Sequence, residues 1–162
     1  MRVTLTVLTA LLAWTLNAAS PTTVILVRHA EKTAVESDPP LTAAGEARAA
    51  RLAQMLASSG ITAIYTTPYA RTRDTAAPIA TALQLTPVEL KPGPSYAADL
   101  AARIRAEHEG GTVLVVGHSN TTQNVMKALG IENAPKIEET EFDNLFIVTL
   151  TASGAKMLVL KY

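Results

Sequence analysis

The sequence predicts an α/β domain with a mainly parallel sheet, helices on both faces and a C-terminal edge hairpin. Three observations carry this. Short apolar, β-branched runs alternate with helical segments from about residue 21 onward. Those runs are almost continuously hydrophobic rather than alternating, as strands buried on both faces are. No repeat or linker divides the stretch 21–162, so it reads as a single domain large enough for a sizeable core.

The first run, Thr22 to Val27, ends abruptly in the polar cluster Arg28-His29-Ala30-Glu31-Lys32. A loop with Asp38-Pro39-Pro40 follows. Thr42 is a helix cap, and alanines and leucines then repeat to Leu56 before Ser58-Ser59-Gly60 stops the helix. Ile61 to Thr66 is the second strand. A helix runs from about Arg71 to Leu83, with Pro78 expected to kink it or mark its true start. Thr86 to Leu90 is a short third strand and Lys91-Pro92-Gly93-Pro94 a loop. Ala97 to Glu107 is helical, with Leu100 and Ile104 on one face, and Gly110-Gly111 ends it. Thr112 to Val116 is the most hydrophobic strand; it leads through Gly117-His118-Ser119-Asn120 into a helix to about Leu129. Asn144 to Leu150 and Lys156 to Leu160 pair around Ser153-Gly154. The polar stretch 133–140 is expected as a loop flanking the site.

Composition narrows the function. Lys+Arg and Asp+Glu are equal at 14 each, so no basic field invites nucleic acid or anionic lipid. An anionic ligand must be held by a few well-placed cations. The absence of cysteine excludes disulfides, thiolate catalysis and thiolate metal sites. Residues 1–20 read as a secretory signal: Arg2, a largely apolar stretch from Val3 to Leu16, then Ala18, Ala19 and Ser20. That apolar stretch is short for a bilayer span. The expectation is export to periplasm or medium, with no membrane span after cleavage. An uncleaved anchor or a buried strand is the alternative.

In parallel sheets ligands bind at the carboxyl ends of the strands. Here those ends carry Arg28-His29, then Thr67-Pro68 with Arg71 close behind, then His118. Two of the three histidines and two arginines thus converge on one rim. A phosphate monoester carries close to two negative charges, and the arginine fork binds two of its oxygens at once. At about 4 Å each such pair is worth roughly 4 kcal/mol at an effective dielectric near 20. Neutral imidazole is a good nucleophile, so His29 can split hydrolysis into two steps if its other nitrogen is fixed by a carbonyl. His118 can donate to the phosphoryl oxygens, partly protonated beside the dianion.

These residues resemble the motifs of the histidine phosphatase superfamily, whose fold is phosphoglycerate mutase-like. Val-Arg-His-Ala-Glu-Lys at 27–32 is similar to the family's Arg-His-Gly signature, with Ala30 in place of glycine. Thr-Pro-Tyr-Ala-Arg-Thr-Arg-Asp-Thr-Ala at 67–76 resembles Ser-Pro-x-x-Arg-Ala-x-x-Thr-Ala. Val-Gly-His-Ser-Asn at 116–120 resembles the family's Gly-His. The resemblance implies a phosphohistidine at His29, a phosphate pocket of Arg28, Arg71 and His118, and neither metal nor cofactor. The implied substrate is a phosphorylated small molecule or a phosphoprotein.

Larger family members supply a mid-chain carboxylate that protonates the leaving group; Glu89 to Asp99 has no clear counterpart, and Glu31, Glu89 and Asp99 are the weak candidates. Without one, phosphoramidates and acyl and aryl phosphates suffer least. The compact chain and missing acid resemble the small phosphohistidine phosphatases, whereas export points away from cytoplasmic signalling. Two other readings compete. A non-catalytic phosphate-binding module would keep the arginines. A serine hydrolase elbow at Gly117-His118-Ser119 would need a histidine after the serine, and none follows His118. Lys32 and His108 are expected to be solvated, Arg73 and Asp74 ordinary helix or outlying residues, and Asn120 a helix cap.

Overall fold

The computed structural model describes residues 20–34 and 37–162. The expected signal segment therefore lies outside the described residues, apart from Ser20. Six strands and four helices follow one another as β1 (Thr22–Arg28), α1 (Ala43–Leu56), β2 (Ile61–Thr66), α2 (Ala70–Leu83), β3 (Val88–Glu89), α3 (Tyr96–Glu107), β4 (Thr112–Gly117), α4 (Ser119–Ala128), β5 (Asn144–Thr151) and β6 (Gly154–Lys161).

The sheet order is β3-β2-β4-β1-β5-β6. β1 pairs in parallel with β4, and β2 with both β4 and β3. The β5–β6 hairpin adds antiparallel to the other side of β1. The fold is thus the α/β, mainly parallel architecture with an edge hairpin. Strand pleating divides the core. Val24, Leu26, Val113 and Val115 point to the face covered by α3 and α4, with Leu100, Ile104, Val125 and Met126. Ile25, Val27, Leu114 and Val116 face α1 and α2, with Leu52, Leu56 and Ile79. Burial on both faces explains why these strands read as unbroken apolar runs.

Three local expectations change. β3 is two residues rather than five, because it pairs only at Tyr65 and Thr66 on the sheet edge. Pro78 does not start a helix: α2 runs continuously from Ala70 to Leu83, and Pro78 sits within it, half-buried. His108 is not simply solvated; it is half-buried, and its Nε2 lies 2.8 Å from the Tyr65 hydroxyl. Among the described residues no helix is long and apolar enough to cross a membrane.

α1 is held against the chain that follows β1. The Thr42 hydroxyl caps α1 by accepting from the Gly45 N–H at 3.1 Å, and the Thr42 N–H donates to the Glu31 carbonyl at 2.9 Å. A Cβ at position 45 would collide with that same Glu31 carbonyl, so only glycine allows the approach. Two residues beyond the site histidine, the backbone is therefore clamped.

Candidate active site

The parallel register places the ends of β1 and β4 side by side, with Arg28 opposite Gly117. The His29 N–H donates to the Gly117 carbonyl at 2.8 Å, extending the ladder one residue past β1. His29 and His118 thereby face each other, ring centroids 5.4 Å apart and edge-to-face. His29 is 3% exposed.

The His29 ring is fixed through Nδ1, which lies 2.7 Å from the Ala30 carbonyl. A carbonyl only accepts, so Nδ1 carries the proton and Nε2 keeps its lone pair. The loop that does this is itself held: the Ala30 N–H donates to the Thr75 hydroxyl at 2.9 Å, which donates to the Arg71 carbonyl at 2.7 Å. Ala30 is fully buried and packs with Leu41 and Ala49, so its methyl fills a small apolar niche.

His118 is fixed by a row of hydroxyls. Its Nε2 lies 2.9 Å from Thr67 Oγ1, which lies 2.8 Å from Thr72 Oγ1. Thr72 Oγ1 is in turn within 2.8 Å of the Thr67 carbonyl and 2.9 Å of the Tyr69 carbonyl. Because the Thr72 proton goes to a carbonyl, Thr67 donates to Thr72 and accepts from His118 Nε2–H.

Burial, then the charge of the neighbouring arginines, pushes both histidines down to about 4. Both rings are therefore neutral at pH 7 in the free site, and a phosphate dianion would raise them again.

Arg28 is 4% exposed. Its Nη1 donates to the Glu138 carbonyl at 2.8 Å and the Glu141 carbonyl at 3.3 Å, and its guanidinium stacks on Phe142 at 4.4 Å. Its Nη2 donates to Glu139 Oε2 at 2.6 Å. Arg71 stacks on Tyr69 at 4.6 Å and reaches Asp38 at 3.7 Å; Asp38 also accepts from the Ala70 N–H at 2.9 Å, at the start of α2. In both arginines the Nε–H is buried and has no partner among the described residues. Leaving such a donor unpaired costs about 1–3 kcal/mol. Two such donors beside two neutral imidazoles make a receptor for an oxyanion.

The family model described as the histidine phosphatase superfamily (branch 1) matches residues 24–93. That span holds Arg28, His29 and Arg71, and the sheet brings His118 to them. Over that span the chain is similar to the histidine phosphatase superfamily. Solved structures share the fold across most of the chain. The protein histidine phosphatase SixA, complexed with tungstate, is 22% identical with a TM-score of 0.70, over 86% of this chain and 96% of that one. YhfR of Bacillus stearothermophilus is 19% identical at 0.69, over 85% and 96%. A phosphoserine phosphatase mutant from Entamoeba histolytica, in complex with phosphoserine, is 17% identical at 0.61, over 84% and 94%. None of the curated proteins matches the chain in sequence.

None of the three carboxylates singled out from the sequence as a leaving-group acid stands in the pocket. Glu31 accepts from Arg48 Nη2 at 2.7 Å and from Arg48 Nε at 3.0 Å, which holds its carboxyl below the usual range. Arg48 Nη1 also donates to the Tyr162 carbonyl at 2.8 Å, so this arginine fastens α1 to both the Glu31 loop and the end of β6. Glu89 lies on the edge strand, 3.8 Å from Arg73. Asp99 is exposed on the first turn of α3. Among the described residues, none of the three bonds to Arg28, His29, Arg71 or His118.

The other sequence candidates fall outside the pocket or at its rim. Arg73 is 46% exposed and pairs with Asp38 and Glu89. Asp74 is exposed on the same helix. Lys32 is exposed and bridges to Leu41. Asn120 is exposed inside α4, whose cap is His118 rather than Asn120. Ser119 donates to Glu139 Oε1 at 2.6 Å and bonds to no histidine, unlike the nucleophile of a serine hydrolase. Among the described residues no group of three His, Cys, Asp or Glu is placed to hold a metal ion.

Sequence reasoning gave no role to Thr67, Thr72 or Thr75, although all three stand in the second motif. It also missed Asp38, Phe142 and Glu139. The last two belong to the flanking loop, and nothing local marks them as partners of Arg28, more than a hundred residues away.

Proposed function

We propose that this chain is a phosphatase that hydrolyses a phosphate monoester or phosphoramidate through a phosphohistidine on His29. The observation that carries this is a neutral, buried imidazole with a free Nε2 beside two arginines whose buried Nε–H groups lack partners. Relatives of the same fold described as acting on phosphohistidine or phosphoserine support the class, and the substrate is to be found by experiment.

In the first step Nε2 attacks phosphorus, and the bond to the leaving oxygen or nitrogen breaks. The leaving group departs with that electron pair and takes a proton from solvent. Arg28 and Arg71 neutralise the charge that spreads over the equatorial oxygens. His118 gains a proton as the dianion binds and adds a positive charge beside the phosphoryl group. In the second step water attacks phosphorus, the P–N bond breaks, and His29 is regained with release of orthophosphate. Substrates whose leaving group departs readily, such as phosphoramidates and aryl or acyl phosphates, suit a pocket without a committed acid.

Export remains part of the proposal and rests on residues 1–20 alone: an apolar stretch behind Arg2, ending in small residues. N-terminal sequencing of the mature protein tests it; an intact Met1 would oppose cleavage.

The test of the activity compares the full chain with its His29→Ala variant on an aryl phosphate, with a chelator present. Turnover in the wild type and none in the variant is the expected result. Half of the activity surviving in the variant would overturn the nucleophile. Orthophosphate binding without turnover on any phosphoryl donor would favour the binding-module reading.

A further inference from the structure

We infer that Glu139 is a built-in competitor for the phosphate pocket, and that a phosphoryl group gains the full edge of Arg28 only by displacing it. This rests on the proposed reading of the pocket as phosphate-binding. The contact is specific on both carboxylate oxygens: Oε2 lies 2.6 Å from Arg28 Nη2 and Oε1 2.6 Å from Ser119 Oγ.

The guanidinium has two faces for oxyanions, and the side-on face pairs Nε with Nη2. On Arg28, Nη1 is taken by the Glu138 and Glu141 carbonyls, which fasten the loop. Nε has no partner among the described residues, and Nη2 has the Glu139 carboxylate. The one edge able to grip two phosphate oxygens is thus half occupied by a side chain from the flanking loop. Two parallel N–H···O bonds are what a phosphate takes from arginine.

Glu139 is built to leave. Its side chain is 79% exposed while Arg28 is 4% exposed, so the carboxylate reaches in from solvent and returns to it at little cost. It also lines a shallow cleft of about 230 Å³ with Ser119, Asn120, Gln123, Lys136 and Ile137, which gives the released side chain and the remainder of a substrate room beside the pocket. A dianion carries twice the charge of the carboxylate and also engages Arg71, so it wins the exchange, at a reduced apparent affinity.

The test is orthophosphate binding by calorimetry, on wild type, Glu139→Gln and Glu132→Gln. The last removes the same charge from an exposed position earlier in the segment between α4 and β5. Glu139→Gln is expected to bind about three- to tenfold more tightly, the range of an exposed to half-buried charge pair, with Glu132→Gln like wild type. KM for an aryl phosphate should fall by a similar factor in Glu139→Gln. Equal or weaker binding by Glu139→Gln would overturn the competitor, as would equal tightening in both variants, which would mean a general field. A kcat loss of tenfold or more at unchanged orthophosphate affinity would make Glu139 a proton-transfer group and overturn it too. If wild type and variants all fail to bind orthophosphate, the phosphate-pocket reading itself falls, and the inference with it.

Discussion

Lowering the pH from 7 to 5 should destabilise this protein through His29 in particular. The folded pKa is pushed down to about 4 by burial and by Arg28, His118 and Arg71, against an ordinary value of 6.5. Between those values the unfolded chain binds more protons than the folded one. Stability is therefore complete above about pH 6.5 and is lost as the pH falls toward 4. The two titration curves give a loss of about 2 kcal/mol from His29 alone between pH 7 and 5. Urea unfolding at the two pH values, on wild type and His29→Gln, isolates it: the wild type should lose about 2 kcal/mol more than the variant. Equal losses would mean that His29 is not held neutral by burial, and the case for a ready nucleophile would fail. The kinetic counterpart is that about nine-tenths of His29 in the free site stays neutral at pH 5, so nucleophile protonation should not limit kcat/KM there.

Other perturbations separate the site from its surroundings. Arg71→Ala should lower kcat/KM by about 10²–10³, the usual cost of one charge-stabilising donor, while Arg73→Ala stays within about twofold in the same steady-state assay. If Arg73 were the more sensitive, the motif at 67–76 would be out of register. Thr67→Val should reduce kcat by about fivefold, the worth of one hydrogen bond orienting His118, and Thr67→Ser should restore it. Arg48→Ala should cost about 1–2 kcal/mol in chemical denaturation, because it releases Glu31 and the last carbonyl together. Gly45→Ala should cost about 1–3 kcal/mol or more, because its methyl meets backbone rather than a side chain that can move.

The sequence carried the fold well where chemistry and pattern coincide. β1, β2 and β4 are apolar runs that stop at Arg28-His29, Thr67 and His118, so strand and site announce each other. The Thr42 cap fixed the start of α1. β3 was legible only in outline, since an edge strand's length depends on its neighbour's register and not on its own residues. Pro78 misled because a proline near the middle of a helix reads as a break, although the helix continues around it. Half of the pocket's support was invisible for a physical reason. A threonine reads as a strand former or a cap, and nothing local distinguishes Thr67, Thr72 and Thr75 as a hydroxyl network behind two histidines. Glu139 was hidden by distance: its partner Arg28 is 111 residues away, and an exposed glutamate in a polar loop looks ordinary until the chain is folded.

The central claim is a covalent phosphoryl group on His29. Its most direct test mixes the full chain with an excess of aryl phosphate, quenches in alkali within one turnover, and maps the phosphoryl group by peptide mass spectrometry. The account predicts an alkali-stable, acid-labile phosphoryl group on the peptide containing His29 and none in His29→Ala. A phosphoryl group on Ser119 or on another residue, or turnover with His29 never modified, would contradict it.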